Sequence, residues 1–393
     1  MSLNHISLPE KPIHVLTLTP FYPVEGDDAS GCFVSEPLCW LERDGVSNTV
    51  FAVQPIYRGR APANTSVPPA EWISYLALPG GFGLPSSGAF LYARILPAVR
   101  KRNQVHRIDV IHAHAPLPCG HAAALLSREL GIPYLVSVLG LDTLSTTQVK
   151  GYAGERCARI SRMIYQSASR VICVSEHVRD EVVSGAGRAC RTSVLYNGVD
   201  PEIFAPAPNG QSSDPVILTV GNLIPIKGHE LLLRAFATLK QGYANLACEI
   251  IGDGPERARL VTLAAQLNIS DRVHFLGRRS RQAVAEALRR CTIFALPSRY
   301  EGLGCVYLEA MSAGKPALGC RGQGIGEIIQ HGVNGWLVAP DSVEELSSGL
   351  ATLLQNESLQ KRIGSAGRRT VLKGLTLEHQ AERLSRIYRE CLG

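Results

Sequence analysis

Two carboxylates, Glu301 and Glu309, stand with seven residues between them in an otherwise apolar and glycine-rich stretch, SRYEGLGCVYLEAMSAGKP, residues 298–316. Buried carboxylates are costly unless partnered, and the only cations close by in sequence are Arg299 and Lys315. The run TIFALPS (292–298) reads as a strand, and Val306 to Ala313 reads as a helix with Gly314 just beyond its end. Gly302 and Gly304 would let backbone N–H groups approach a diphosphate, and the helix N-terminus adds its dipole. Glu301 is then expected at the mouth of a cleft and Glu309 about two turns inside the helix. Acceptors at two depths suit sugar hydroxyls on either side of a bound phosphate. A helix-terminal acid plus a surface glutamate is the plainer alternative, but Leu308, Ala310 and Met311 around Glu309 argue against exposure.

A second chemical signal lies in VGNLIPIKGHELLLRAF, where a strand ends at Gly221 and a helix follows from about His229. Lys227, in the loop between them, is placed for a phosphate, with a solvated lysine as the alternative. IIGDGPERARL resembles a dinucleotide fingerprint only weakly, because the third glycine position is Arg257. In DVIHAHAP, His112 and His114 are two apart on a strand and share one face. His114, at the strand's end, is expected toward the cleft, and Asp142 is a further polar candidate at a strand end. No third ligand is placed with the two histidines, so a metal site is not expected.

Elements that would position these residues repeat along the chain. Apolar β-rich runs at 14–20, 49–55, 109–115, 134–140, 170–176 and 193–198 alternate with helical patterns. A polar Pro/Ser/Gly stretch, APAPNGQSSDP, follows, and a second series runs through 216–222, 247–254, 273–278, 292–298 and 316–322. Continuous apolar strands separated by helices predict two doubly wound parallel α/β domains, residues 1–205 and 206–375, with ligand at the carboxyl ends of the strands. An amphipathic helix is expected over 376–393. Eleven scattered cysteines without C-x-x-C spacing predict reduced, mostly buried thiols. A net charge of +6 suits an anionic small ligand and is too weak to imply nucleic acid. Neither a signal peptide nor a membrane-crossing run is read from the sequence, which predicts a cytoplasmic protein.

The stretch EGLGCVYLEAMSAGKPAL resembles the E-x7-E motif of family 4 retaining glycosyltransferases. GNLIPIKG, IIGDGPE, YNGVD (196–200), VHFLGR and NGWLVAPDS (334–342) resemble that family's strand-end segments, and SGCFVSEPLCWLERDG (30–45) its glycine loop and first helix. The resemblance implies the GT-B fold, with the closing helix crossing back onto the N-terminal domain. It implies retaining transfer of a sugar from a nucleotide diphosphate donor, UDP-sugar favoured, to a hydroxyl acceptor such as a glycan, a lipid-linked sugar or a small molecule, without a metal or other cofactor. It further implies that Glu309 binds the ribose, Glu301 the donor sugar and Lys227 the diphosphate. The amides of Gly302, Leu303, Gly304, Cys305 and Val306 would hold phosphate and sugar oxygens, Gly31 would admit the first loop to the phosphates, and Gly277 and Arg278 would face the base.

Two positions depart from the pattern. Asn222 stands where many members have arginine, and Leu139 where many carry a histidine near the reacting sugar. Leucine can neither donate a hydrogen bond nor accept a proton, so His114 is the expected replacement, with His112 a structural partner or further sugar-side group. Other readings are a second GT-B activity, such as a sugar-nucleotide epimerase, and a catalytically silent nucleotide-sugar-binding protein. A helical stretch at 91–107 ends in the cations Arg100, Lys101, Arg102 and Arg107. Their spread around the helix reads as a solvated face, with weak contact to the inner face of a membrane as the alternative.

Overall fold

The computed structural model describes residues 11–59, 68–79, 81–143, 149–207 and 214–393. Most of the expected interdomain stretch lies outside these residues. The first sheet comprises β1 (Ile13–Thr19), β2 (Val46–Pro55), β3 (Ala70–Tyr75), β4 (Val110–His114), β5 (Tyr134–Val138), β6 (Arg170–Cys173) and β7 (Thr192–Val194), all parallel, in the order β3-β2-β1-β4-β5-β6-β7. Its connections include α1 (Cys32–Leu41), α2 (Leu84–Val105), α3 (His121–Leu130), α4 (Gly151–Ser167) and α5 (Glu176–Ala186). The central strands are apolar throughout because both faces are covered: all seven residues of β1 are buried. β3 was not among the expected strands. It lies at the sheet's edge, and its mixed burial leaves only a weak period-two signal.

The second sheet comprises β8 (Val216–Val220), β9 (Ala247–Ile251), β10 (Val273–Gly277), β11 (Ile293–Ala295), β12 (Ala317–Cys320) and β13 (Trp336–Val338), again wholly parallel, in the order β10-β9-β8-β11-β12-β13. Its helices are α6 (His229–Leu239), α7 (Arg257–Gln266), α8 (Arg281–Arg290), α9 (Cys305–Ser312), α10 (Val343–Gln355) and α11 (Glu357–Gly374). Strand order reverses at the first strand of each sheet: β1 lies between β2 and β4, and β8 between β9 and β11. Loops leaving these neighbours diverge and open a crevice, the place where doubly wound sheets bind ligands.

The last helix, α12 (Leu377–Leu392), starts at Thr376, whose hydroxyl accepts from His379 N–H at 3.4 Å, and carries Glu378 in its first turn and Arg389 in its last. Leu377, Ala381, Leu384 and Tyr388 recur at helical spacing and are buried. The helix packs beside Leu38 and Leu41 of α1, on the first sheet. Just before it, Val199 N–H donates to Leu375 O at 3.0 Å and Leu377 N–H to Val199 O at 3.1 Å, so the two crossings between the sheets run side by side.

His112 ties α12 to the first sheet. Its ring nitrogens lie 2.7 Å from the Tyr388 hydroxyl and 2.8 Å from Ser137 Oγ, all three buried. His112→Ala is expected to lower stability by about 2–3 kcal/mol, because it opens a cavity and strands two buried hydroxyls. Urea unfolding checks this, and a loss below about 1 kcal/mol would contradict it.

Candidate active site

A cleft of about 490 Å³ opens between the two switch points. From the first sheet it takes the connection after β1, Asp27 to Phe33. From the second it takes Gly221, Asn222 and Lys227 after β8, Gly252 after β9, and Glu301 to Glu309 around the start of α9.

The two glutamates are buried, at 6% and 4% exposure, and each has a cation. Neither cation is the sequence neighbour expected. Arg299 pairs with Asp341 at 2.5 Å, and Lys315 is buried elsewhere, its pKa lowered by that burial. Glu301 Oε1 instead lies 2.5 Å from Lys227 Nζ and accepts from Ser298 Oγ at 3.0 Å. Glu309 Oε1 accepts from Arg281, which opens α8 and also donates from Nε and Nη2 to the two oxygens of Glu36 on α1, each at 2.9 Å. Arg281 further lies over the Phe204 ring, 4.8 Å from its centroid. Burial disfavours the guanidinium charge, but Glu309 and Glu36 more than offset that, and its pKa stands above the ordinary arginine value. One buried cation therefore joins the two halves of the molecule at the wall of the cleft. Arg281 and Glu36 carried no local signal: each sits at ordinary helix spacing, and only the fold brings them together.

Backbone approach decides the rest of the frame. A Cβ on Gly302 would lie 2.3 Å from Leu139 O and 3.1 Å from Gly140 Cα, so only glycine lets the loop before α9 meet the exit of β5. Gly31 caps α1 at φ 76°, where a Cβ would lie 2.5 Å from Tyr22 N. Its missing side chain thus serves the fold of its own loop as well as the cleft it lines. Gly304 caps α9 in the left-handed region, and Cys305 and Val306 line the cleft. Leu303 is buried in the core. Asn197 donates to Cys305 Sγ at 3.1 Å. Burial raises the Cys305 thiol to about 12. Gly277 accepts from Gly252 N–H at 2.9 Å. Arg278 pairs with Asp27 at 2.8 Å, and Asp28 accepts from Arg281 N–H at 3.0 Å, so the loop after β1 is held to the start of α8.

The polar candidates of the first sheet take other places. His114 was expected to face the cleft. It lines a separate cavity of about 30 Å³ with Leu139, His112 and Phe33, room for water but not for a sugar. Both histidines share a strand face as expected, but that face is covered by α1 and α12. Burial lowers His114 to about 4, so its ring is neutral at pH 7, and Nδ1 has no hydrogen-bond partner. His114→Ala is therefore expected to change the maximal rate by less than tenfold in steady-state kinetics. A larger drop would return it to the chemistry. Asp142 closes the turn after β5 by accepting from Leu139 N–H at 2.9 Å. Burial lifts it to about 6 and leaves Oδ2 unpaired. Asn222 lines the cleft, and its carbonyl faces His229 Nε2 at 3.2 Å.

These groups give stability a defined pH dependence. Burial lowers His112, His114 and His229 below 6.5, the last two to about 4. Between about 4 and 6.5 the unfolded chain binds protons that the folded chain does not, so stability is full above 6.5 and falls as the pH drops toward 4. Asp142, raised above 3.8, acts in the opposite sense between about 6 and 3.8. Burial also lowers His14 and His121, so the histidines outweigh the carboxylate, and the protein should unfold at a lower urea concentration at pH 4.5 than at pH 7. Equal stability at the two values would contradict the burial of these rings.

Two facing, wholly parallel α/β units with a cleft at both switch points have the GT-B architecture found among glycosyltransferases. The chain belongs to that class by sequence also: residues 202–370 match the family described as Glycosyl transferases group 1, and residues 38–203 match Glycosyltransferase Family 4. It is 31% identical over 262 residues, 66% of this chain and 70% of the relative, to an uncharacterized glycosyltransferase of Methanocaldococcus jannaschii. It is 30% identical over 246 residues, 58% of this chain and 63% of the other, to a GDP-mannose-dependent alpha-(1-6)-phosphatidylinositol monomannoside mannosyltransferase of Mycolicibacterium smegmatis. Among solved structures, HepE of Anabaena in complex with UDP-glucose aligns with a TM-score of 0.76 and 22% identity, over 96% of this chain and 100% of that one.

Among the described residues no helix is long and apolar enough to cross a membrane, and no three His, Cys, Asp or Glu side chains cluster to hold a metal ion. Of the basic residues in the last turns of α2 and just beyond it, Arg100 pairs with Glu129, Arg102 with Glu71 and Arg107 with Asp109.

Proposed function

We propose that the protein transfers a sugar from a nucleotide diphosphate sugar to a hydroxyl acceptor with retention of configuration and without a metal ion, and that the donor is a UDP-sugar. The observation that carries this reading is the pair of buried carboxylate–cation contacts, Glu301 with Lys227 and Glu309 with Arg281, flanking a glycine-lined helix start in the cleft. Lys227 and the amides at the start of α9 take up charge on the departing diphosphate, where fixed donors lower a barrier most. Glu301 accepts from hydroxyls of the sugar, and Glu309 from those of the ribose. As the sugar's anomeric carbon leaves the phosphate oxygen, the acceptor oxygen bonds to it on the same face, and the acceptor's proton passes to the departing phosphate. Gly277 and Arg278 lie toward the base. The HepE complex supports UDP, whereas the mycobacterial relative's name specifies GDP-mannose, so both nucleotides belong in the test.

A thermal-shift panel of UDP- and GDP-sugars identifies the donor, since a ligand that binds only the folded chain raises its melting temperature. Product anomers read by NMR then test retention. Turnover to an epimer, or binding without turnover, would overturn the transferase reading in favour of an epimerase or a silent binding protein. Glu309→Gln should weaken the bare nucleoside diphosphate by roughly 1.5–3 kcal/mol, the cost of a charged hydrogen bond. An unchanged affinity by calorimetry would remove Glu309 from the ribose.

A further inference from the structure

The backbone of Glu301 is tied to the stretch that follows β12. Glu301 N–H donates to Gln323 Oε1 at 3.1 Å, and Gly324 N–H donates to Glu301 O at 3.2 Å. A Cβ on Gly324 would lie 1.8 Å from Gly302 O and 3.1 Å from Ser175 Oγ, so only glycine brings this stretch so close to both the Glu301 loop and the residue that caps α5. Glu327, three residues on, reaches α5 itself. Its Oε2 accepts from Glu176 N–H at 2.8 Å and its Oε1 from His177 N–H at 2.7 Å, while Oε2 also accepts from the Tyr196 hydroxyl at 3.0 Å.

These contacts cross between the sheets. α5 follows β6 and Tyr196 follows β7, both in the first sheet, whereas Glu327 follows β12 in the second. A local cap finishes only part of a helix start: Ser175 Oγ accepts from Val178 N–H at 3.2 Å, which leaves the amides of Glu176 and His177 without an intrahelical acceptor. A carboxylate 151 residues from Glu176 in sequence takes both. Such charge-assisted bonds, at the positive end of the helix dipole, are stronger than neutral ones. The exchange is reciprocal, since Asp28 after β1 accepts from Arg281 N–H at the start of α8. α5 has a second hold on the same loop. Tyr300, the residue before Glu301, donates its hydroxyl to Glu181 Oε2 at 2.6 Å, and its ring centroid lies 5.6 Å from that of His177. Lys227 and Ser298 fix the Glu301 carboxylate within the second sheet's half, but α5 decides where that loop stands against the first.

We propose that Glu327 is a positioning residue for sugar transfer: by capping α5 across the sheets, it holds the Glu301 loop in place through Gly324 and Gln323. This deepens the transferase reading and rests on it for the role of Glu301. Glu327 does not touch the donor, and neither it nor Tyr300 lines the cleft. Its effect therefore falls on the placement of the sugar-side carboxylate and not on the hold over the nucleotide. Glu327 is itself exposed, so its removal strands no buried charge and the fold should survive.

Hydrogen exchange, read by mass spectrometry on peptides covering 174–180 and 298–306, tests the coupling without substrate. Glu327→Ala should speed exchange in both peptides, because the lost cap loosens α5 and the stretch that holds Glu301 together. Faster exchange confined to 174–180 would make Glu327 a plain helix cap and overturn the proposal. Turnover tests the consequence, with UDP-glucose, UDP-N-acetylglucosamine and GDP-mannose as donors and release of UDP or GDP as the signal. With whichever donor the wild type consumes, Glu327→Ala should lower kcat about tenfold or more, the scale of a displaced catalytic group, and leave KM near wild type. Calorimetric affinity for UDP and GDP should be unchanged. Glu327→Gln keeps one acceptor oxygen for the α5 amides and should recover part of the loss. Tyr300→Phe removes only the hydroxyl of the second hold, so it serves as the test should the Glu327 variants fold poorly, and it should lower kcat in the same way. Full kcat in Glu327→Ala and Tyr300→Phe, or a loss seen as weaker UDP and GDP binding instead, would overturn the assignment. Wild-type protein that consumes none of the three donors would instead count against the transferase reading, and the exchange pattern alone would then decide whether Glu327 holds the Glu301 loop.

Discussion

Arg281→Ala should lower folding stability by about 3–5 kcal/mol, the usual cost of removing one partner from a buried ion pair. The side chains of Arg281, Glu36 and Glu309 are only 12%, 22% and 6% exposed, so neither carboxylate can turn to water when its cation is lost. Glu36→Gln should cost less, because Arg281 keeps Glu309. The order of the two variants is therefore as informative as the size of either. Urea unfolding of both measures it, and an Arg281 loss below about 1 kcal/mol, or a larger loss for Glu36→Gln, would show that the triad does not bind the two halves together. The same variant should weaken donor binding, since Glu309 then lacks the contact that orients it and α1 loses its tie to α8 through Glu36.

Lys227→Ala is expected to lower kcat/KM for the nucleotide sugar by about a hundredfold or more, the effect of removing one preorganised group that meets charge developing in the transition state. Glu301→Ala should also lower turnover, yet spare affinity for the bare nucleotide, because its proposed partner is the sugar. In the structure the two side chains touch at 2.5 Å, so their effects cannot be independent. The double variant should fall well short of the product of the single losses, the signature of groups acting as a unit. Full additivity, or equal losses of nucleotide and nucleotide-sugar affinity in Glu301→Ala, would assign the pair to different parts of the donor.

The legibility of this molecule follows the range of the interactions involved. Parallel strands buried on both faces must be continuously apolar, so β1, β2, β4 and β5 showed in the sequence. The same rule hid β3, an edge strand with a half-exposed face, and left the strand at 292–298 shorter than its apolar run, since TIFALPS pairs only over Ile293–Ala295. Local spacing also placed Glu301, Gly302, Gly304 and Glu309 around one helix start, and Lys227 at a neighbouring strand exit, because strand-loop-helix units of a dozen residues fix their own geometry. The period of two put His112 and His114 on one face. It could not say that α1 and α12 cover that face, because α12 is contributed from nearly three hundred residues away, and so His114 met a small cavity rather than the cleft. The partners of the two glutamates were likewise beyond local reading. Lys227 comes from 74 residues before Glu301, and the cation of Glu309 from a different helix that Glu36 holds from the other sheet. Sequence alone determined which residues could bind a charged ligand. Which of them neutralise one another, and which stand unpaired to receive it, was decided by long-range packing, because a buried charge takes whichever opposite charge the assembled fold brings within reach.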